Sequence, residues 1–186
     1  REIWSTLVDP ADPFIDRAAP PAAGPVVELL KNGDPATKVD LLILGDGYTE
    51  AERPRFLADA RRLGDSLLAT SPFKERAQDF NLRALMVATG ESGISRPSTG
   101  QHRASALGAR YDAFGSERYV LTLDNRALRD IAQHAPYEFI EILVNGETYG
   151  GGGIHGQFST AAAGSAWAPY LMVHEFGHHF AALADE

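Results

Sequence analysis

Val39-Asp40-Leu41-Leu42-Ile43-Leu44 is a short, almost wholly apolar run that stops at Gly45-Asp46-Gly47. A run this short and this uniform is the pattern of a strand buried on both faces, so the sheet it joins must be covered on both sides. Thr49-Glu50-Ala51-Glu52 then fits a capping box, which predicts a helix start. Phe56, Leu57, Ala60, Leu63, Leu67 and Leu68 follow at helical spacing, with Pro54 awkward in the first turns. Ser71-Pro72 ends that helix, and Phe80 to Ala88 reads as a second strand. Strand, helix and strand in this order predict a parallel unit with a crossover, and hence an α/β fold.

The flanking segments are less regular. Residues 1–25 hold Pro10, Pro13, Pro20, Pro21 and Pro25, which leave few backbone donors, and are expected to form an extended arm or linker. Val26 to Leu30 predicts a short strand or hairpin before the turn-like Asn32-Gly33-Asp34-Pro35. Thr89 to Ser116 lacks periodicity and is expected to be a long loop, functional or mobile, with one turn of order near Tyr111 to Phe114. Beyond it the sequence predicts a short strand over Tyr119 to Leu123, a helix from Ala127 to His134 capped by Asn125, and a strand over Phe139 to Val144. After Gly150 to Gly153, Ile154 to Thr160 predicts an irregular edge strand. A last helix starts at Pro169 and carries Leu171, Met172, Val173, Phe176, Phe180 and Leu183. Trp167 and Tyr170 are expected to pack in the core around it.

Charge and composition narrow the chemistry. With 25 Asp+Glu against 17 Lys+Arg, the formal charge is −8, and no Lys/Arg cluster offers a surface for nucleic acid or anionic membrane. No apolar run approaches the ~20 residues of a membrane span. The chain has no cysteine, which removes disulfides, thiolate metal sites and a cysteine nucleophile, so a metal would have to be held by His, Asp or Glu. No Gly-x-Ser-x-Gly elbow supports serine catalysis.

The last helix contains His174-Glu175-Phe176-Gly177-His178, the HExxH pattern. Residues four apart share one helix face, so both imidazoles can converge on a zinc ion. Glu175 lies about 100° round the helix, where it can flank the metal as a general base for zinc-activated water. Gly177 inside a helix costs about 1 kcal/mol against alanine and signals close packing. His179, about 100° from His178, is expected to support the site or lie at the surface. Catalytic zinc takes a third protein ligand, for which Asp185, Glu186, His155, His134 and His102 are candidates. On an unbroken helix Asp185 would lie roughly 16 Å beyond His174 along the axis, so it can ligate only if the helix stops and the chain turns back. Asp46 is expected to serve the turn after the first buried strand.

The run from His174 to Glu186, His-Glu-Phe-Gly-His-His-Phe-Ala-Ala-Leu-Ala-Asp-Glu, closely resembles the active-site segment of the IgA peptidase M64 family of bacterial metallopeptidases. Asp40 to Thr49 resembles that family's first strand and turn. Glu91 to Ser95, Phe114-Gly115 with Arg118-Tyr119, and Leu143-Val144-Asn145 with Tyr149 to Gly153 resemble further segments. The resemblance implies that residues 26–186 belong to a metallopeptidase catalytic domain: a metzincin-like upper subdomain whose twisted, mostly parallel sheet has an antiparallel edge strand, backing helices and a zinc-bearing helix. It implies a zinc endopeptidase acting on protein or peptide substrates, with His174, His178 and Asp185 on the metal and Glu175 as base. It further implies a helix end near position 181, where relatives carry glycine and this chain has Ala181. In such enzymes an edge strand pairs with extended substrate, which assigns Gly152, Gly153, Ile154 and His155 to substrate binding. A secreted or cell-surface location follows from the same kinship.

Metzincin-like enzymes also carry a methionine-containing turn after the third ligand, whereas Met86 and Met172 both precede Asp185. With Arg1 in place of an initiating methionine, the expectation is a processed or trimmed chain that holds the upper half of a peptidase. Two rival readings differ in class: a metal-binding recognition domain for polypeptide or glycan that does not cut, and an interaction domain with incidental histidines.

Overall fold

The computed structural model describes residues 5–15 and 23–185. Much of the expected N-terminal arm, including Pro20 and Pro21, lies outside the described residues, as does Glu186. Residues 5–15 form turns in which Asp9 and Asp12 each accept a backbone N–H two residues on, both at 2.8 Å.

Six strands form one sheet: β1 (Val27–Leu30), β2 (Val39–Asp46), β3 (Phe80–Met86), β4 (Phe139–Val144), β5 (Gly151–Ile154) and β6 (Phe158–Ala162). Their spatial order is β1-β3-β2-β4-β6-β5. The central strands β3, β2, β4 and β6 are parallel, and β1 and β5 run antiparallel at the two edges. The expected edge strand over Ile154 to Thr160 is therefore a hairpin: its first strand lies at the edge and its second inside the sheet. The turn between them puts Gly156 at φ 69°, a left-handed conformation suited to glycine. Tyr119 to Leu123 forms no strand, only isolated bridges from Tyr119 to Gly151 and from Leu121 to Arg110.

Both faces of β2 are covered, as its apolar run requires. On one face, Leu41 and Ile43 pack with Phe56 and Leu63 of α1 (Arg53–Leu68) and Leu171 and Phe176 of α3 (Ala168–Ala181). On the other, Leu42 and Leu44 meet Leu128 of α2 (Asn125–Ala132), Leu107 and Tyr111 of the long loop, and Val120 of the segment after it. Asp40, the acid within the apolar run, is buried and ion-paired with the equally buried Arg83. That pairing compensates a charge that would otherwise be costly inside the sheet.

The helix starts also depart from expectation in detail. Glu52 reaches back to accept the Thr49 N–H at 2.9 Å, but the first turn is a 3-10 turn over Glu50–Glu52, and α1 begins at Arg53. Pro54 thus falls in the first turn of α1, where its missing N–H has no intrahelical partner to lose. In α2 the cap is Asp124, which accepts the Ala127 N–H at 2.9 Å. The long loop is organised by the carboxylate of Asp46 at the end of β2, which accepts from Ser105 Oγ at 2.8 Å and from the N–H groups of Leu107 and Ala109, both at 2.9 Å. Burial raises the Asp46 pKa against the pull of those bonds.

Candidate metal centre and cleft

α3 owes its position to its aromatic and apolar face. Phe176 and Phe180 interlock with Phe73 and Phe139, with ring centroids 4.7 Å apart for Phe139–Phe180 and 5.4 Å for Phe73–Phe176. His179, expected to support the site or lie at the surface, is 1% exposed and ties three elements together. Its Nε2 accepts the Ile140 N–H of β4 at 3.2 Å, and its Nδ1 lies 3.2 Å from the Ile154 carbonyl of β5. The ring is the neutral tautomer that donates from Nδ1, and burial pushes its pKa down to about 4.

The same register brings His174 and His178 to the cleft bordered by β5, with their Nε2 atoms 3.1 Å apart. α3 then stops at Ala181. Ala182 takes the left-handed conformation (φ 54°, ψ 34°), and its N–H bonds the His178 carbonyl at 3.0 Å. The helix thus ends at position 181, as the family resemblance implies, and the left-handed residue is the one that follows it. That residue reverses the chain, packs Leu183 beside Gly177, and brings the Leu183 carbonyl to 2.5 Å from His178 Nδ1. Asp185 Oδ1 thereby reaches 3.2 Å from both imidazole Nε2 atoms. A carboxylate oxygen of Glu175 also lies within 4.8 Å of ligand nitrogens on both histidines. The other third-ligand candidates are elsewhere: His102 is exposed on the long loop, and His134 follows α2 on the opposite face of the sheet.

The neighbouring glycines have a packing cause. A Cβ on Gly151 would lie 3.0 Å from Glu175 Cγ, and one on Gly153 would lie 2.4 Å from the Glu175 carbonyl oxygen. Only a strand without side chains on that face lets α3 lie so close. Along its outer edge, Gly151 donates its N–H to the Arg118 carbonyl at 3.1 Å and accepts the Val120 N–H at 3.0 Å. Strand groups repeat every second residue, so the N–H and C=O of Gly153 face the same edge, beyond the stretch occupied by Arg118 to Val120.

That edge borders a cleft of about 310 Å³ which contains His174, Glu175, His178 and Asp185 in its walls, opposite Phe114, Arg118 and Tyr149. Gly152, Gly153 and Ile154 line it, but His155 does not. The turn after Ile154 carries His155 to the end of α3, where its Nδ1 lies 3.1 Å from the His179 carbonyl oxygen. Trp167 and Tyr170 are also not core residues; they are 63% and 52% exposed, on the side of α3 away from the sheet. Tyr170 stacks on His174 with centroids 5.2 Å apart and places its hydroxyl 3.3 Å from Nδ1. Its spacing of four residues from His174 was the available signal for that contact.

Glu175 is 8% exposed. Burial pushes its pKa up to about 7, Asp185 adds to the rise, and His178 and Arg118 oppose it. Two imidazoles and two carboxylates at these separations can hold a divalent cation and keep one acid beside it to move protons. No curated protein matches the chain. The family model for IgA peptidase M64 matches residues 27–186, and the chain therefore belongs to the IgA peptidase M64 family and is a peptidase by kinship.

Proposed function

We propose that the chain is a zinc-dependent endopeptidase, with His174, His178 and Asp185 as metal ligands and Glu175 as general base. The observation that carries this reading is the triangle of His174 Nε2, His178 Nε2 and Asp185 Oδ1, with sides of 3.1, 3.2 and 3.2 Å. Tetrahedral ligands about 2.0–2.2 Å from zinc stand roughly 3.3 Å from one another, so the donor atoms fit that ion with little adjustment. Two imidazoles and one carboxylate also leave a position open, the arrangement that suits catalysis. Bound there, zinc would supply Lewis acidity toward a water and the scissile carbonyl.

The chain's own groups do the rest. Glu175 accepts a proton from the attacking water at its carboxylate and delivers it to the leaving amine. Burial pushes the Glu175 pKa up to about 7, which favours the proton-holding form, and a dication bound beside it would draw it back toward the accepting form. Gly153 offers its outward N–H and C=O to an extended peptide, which fixes the scissile bond along the cleft. Tyr170 orients the His174 ring from behind. A secreted or cell-surface setting, where protein substrates are met, belongs to the same proposal.

Metal analysis combined with Glu175→Gln tests it. The expected result is close to one zinc per chain, cleavage of an unfolded protein substrate that a chelator stops, and loss of cleavage in Glu175→Gln. Lack of near-stoichiometric zinc after dialysis against the metal, or full activity in Glu175→Gln, overturns the proposal. Zinc binding without any cleavage points instead to a recognition domain.

A further inference from the structure

Arg118 stands out in the cleft because it is the one lysine or arginine among the residues that line it, and its guanidinium makes no ion pair among the described residues. Arg53, Arg83, Arg96 and Arg103 each hold a carboxylate, at 2.6 Å for Arg53 and 3.1 Å for Arg96, whereas Arg118, like Arg61, Arg110 and Arg129 outside the cleft, makes no such pair among the described residues. Its sequence neighbour Glu117 is engaged by Arg96 and so does not neutralise it. The backbone of Arg118 is fixed, since its carbonyl accepts the Gly151 N–H at 3.1 Å. Its guanidinium lies over the Tyr119 ring, 5.4 Å from the centroid, which restrains the plane of the fork. The side chain borders both the cleft beside β5 and the adjoining one beside Tyr170 and Leu183, so it stands at the junction next to His174, His178 and Asp185.

We propose that Arg118 is a specificity-determining residue that selects peptides carrying a carboxylate next to the scissile bond. The inference rests on the peptidase reading of the same cleft. An arginine held by its backbone and stacked on an aromatic ring presents a preorganised pair of N–H donors, which matches a carboxylate in bidentate geometry. In a chain of net charge −8, a guanidinium free of any ion pair also makes its side of the cleft locally attractive to a group that the rest of the surface repels. The carboxylate could come from an aspartate or glutamate side chain or from a peptide C-terminus. Both offer the same chemistry to the guanidinium.

The test measures binding, so that turnover is not needed. Zinc-loaded Glu175→Gln protein is titrated with fluorescent peptides in two arms. In one, Glu or Gln is walked along an amidated neutral peptide; in the other, a neutral peptide ends in a free acid or an amide. The expected result is about tenfold tighter binding of the carboxylate form in one arm, weakened by added salt. Arg118→Gln should abolish the difference, and Arg118→Glu should reverse it in favour of lysine-bearing peptides. Equal binding of charged and uncharged peptides in both arms, or a preference that survives in Arg118→Gln, overturns the proposal. Binding without preference sinks the role of Arg118 alone, whereas failure of every peptide to bind removes the peptidase reading with it. Arg118 is exposed, so both variants should fold, and circular dichroism confirms that before titration.

Discussion

Gly153 of β5 lies so close to α3 that a Cβ added to it would stand 2.4 Å from the Glu175 carbonyl oxygen and 2.7 Å from His178 Cβ. The strand that borders the cleft and the helix that bears the histidines are thus in backbone contact. Neither neighbour is the movable end of a side chain, so Gly153→Ala must displace strand or helix. We expect a loss of about 1–3 kcal/mol, read as a fall of roughly 3–10 °C in Tm for a domain of this size. Gly90→Ala is the control, because nothing lies within 4 Å of its added Cβ. Equal melting of the two variants would refute the contact.

Asp185 and Glu175 both approach the imidazoles, and the proposal gives them different tasks. Asp185→Asn should weaken zinc binding by more than the roughly 10–100-fold that loss of an outer partner costs. Glu175→Gln should leave zinc affinity within a few-fold. Chelator competition measures both. The opposite order would exchange the two roles.

Ala182 holds a left-handed conformation that glycine adopts without a Cβ penalty. Ala182→Gly should therefore hold stability level or raise it by up to about 1 kcal/mol, the relief of left-handed strain being offset by glycine's greater unfolded entropy. Zinc affinity should be unchanged, since the turn that returns Asp185 is kept. Ala182→Val should lower both, because a β-branched residue resists positive φ. Melting curves with and without zinc decide the matter.

Glu141 lies wholly buried in β4, with Ser159 Oγ donating to one carboxyl oxygen and no partner for the other among the described residues. Burial pushes its pKa well above the ordinary 4.5, with the Ser159 bond opposing and Glu175 adding to the rise. The native state therefore keeps a proton that the unfolded chain releases above about pH 4.5. Stability supplied by this group falls as pH rises from there toward the native pKa. Glu141→Gln, which keeps the volume and cannot ionise, should flatten that slope and melt higher than wild type near neutral pH. Denaturant titrations at several pH values check it, and parallel slopes for the two proteins would show that Glu141 is ionised in the fold.

The legible parts of the molecule were those with strong local pattern. The apolar run of β2, the spacing of Phe56, Ala60 and Leu63 in α1, and the placing of His174 and His178 on one face of α3 all follow from strand or helix periodicity. The rest depended on tertiary context. An alanine carries no sign that it will adopt positive φ, so the turn at Ala182 was not readable from Ala181-Ala182. Tyr119 to Leu123 has strand composition but finds only single bridges, because the sheet already ends at β5. Tyr170 has the composition of a core residue and became a ring support because α3 buries its opposite face. The run of four glycines did not reveal its cause: Gly151 and Gly153 admit the close approach of α3, while Gly150 and Gly152 lie against Tyr111, Val120 and Leu121.

The order of these parts along the polypeptide has a consequence for biosynthesis. A ribosome delivers all six strands before it delivers His174, and the three donor atoms of the triangle come from one stretch of twelve residues, His174 to Asp185. Segments emerging first can collapse first, so the sheet forms without waiting for the ion. α3 then docks on β5 through glycines that need no rearrangement to receive it. On the zinc proposal, metal capture would be a late event in the life of the molecule, made on a scaffold already assembled, and a cell short of zinc would accumulate a folded protein ready to be charged.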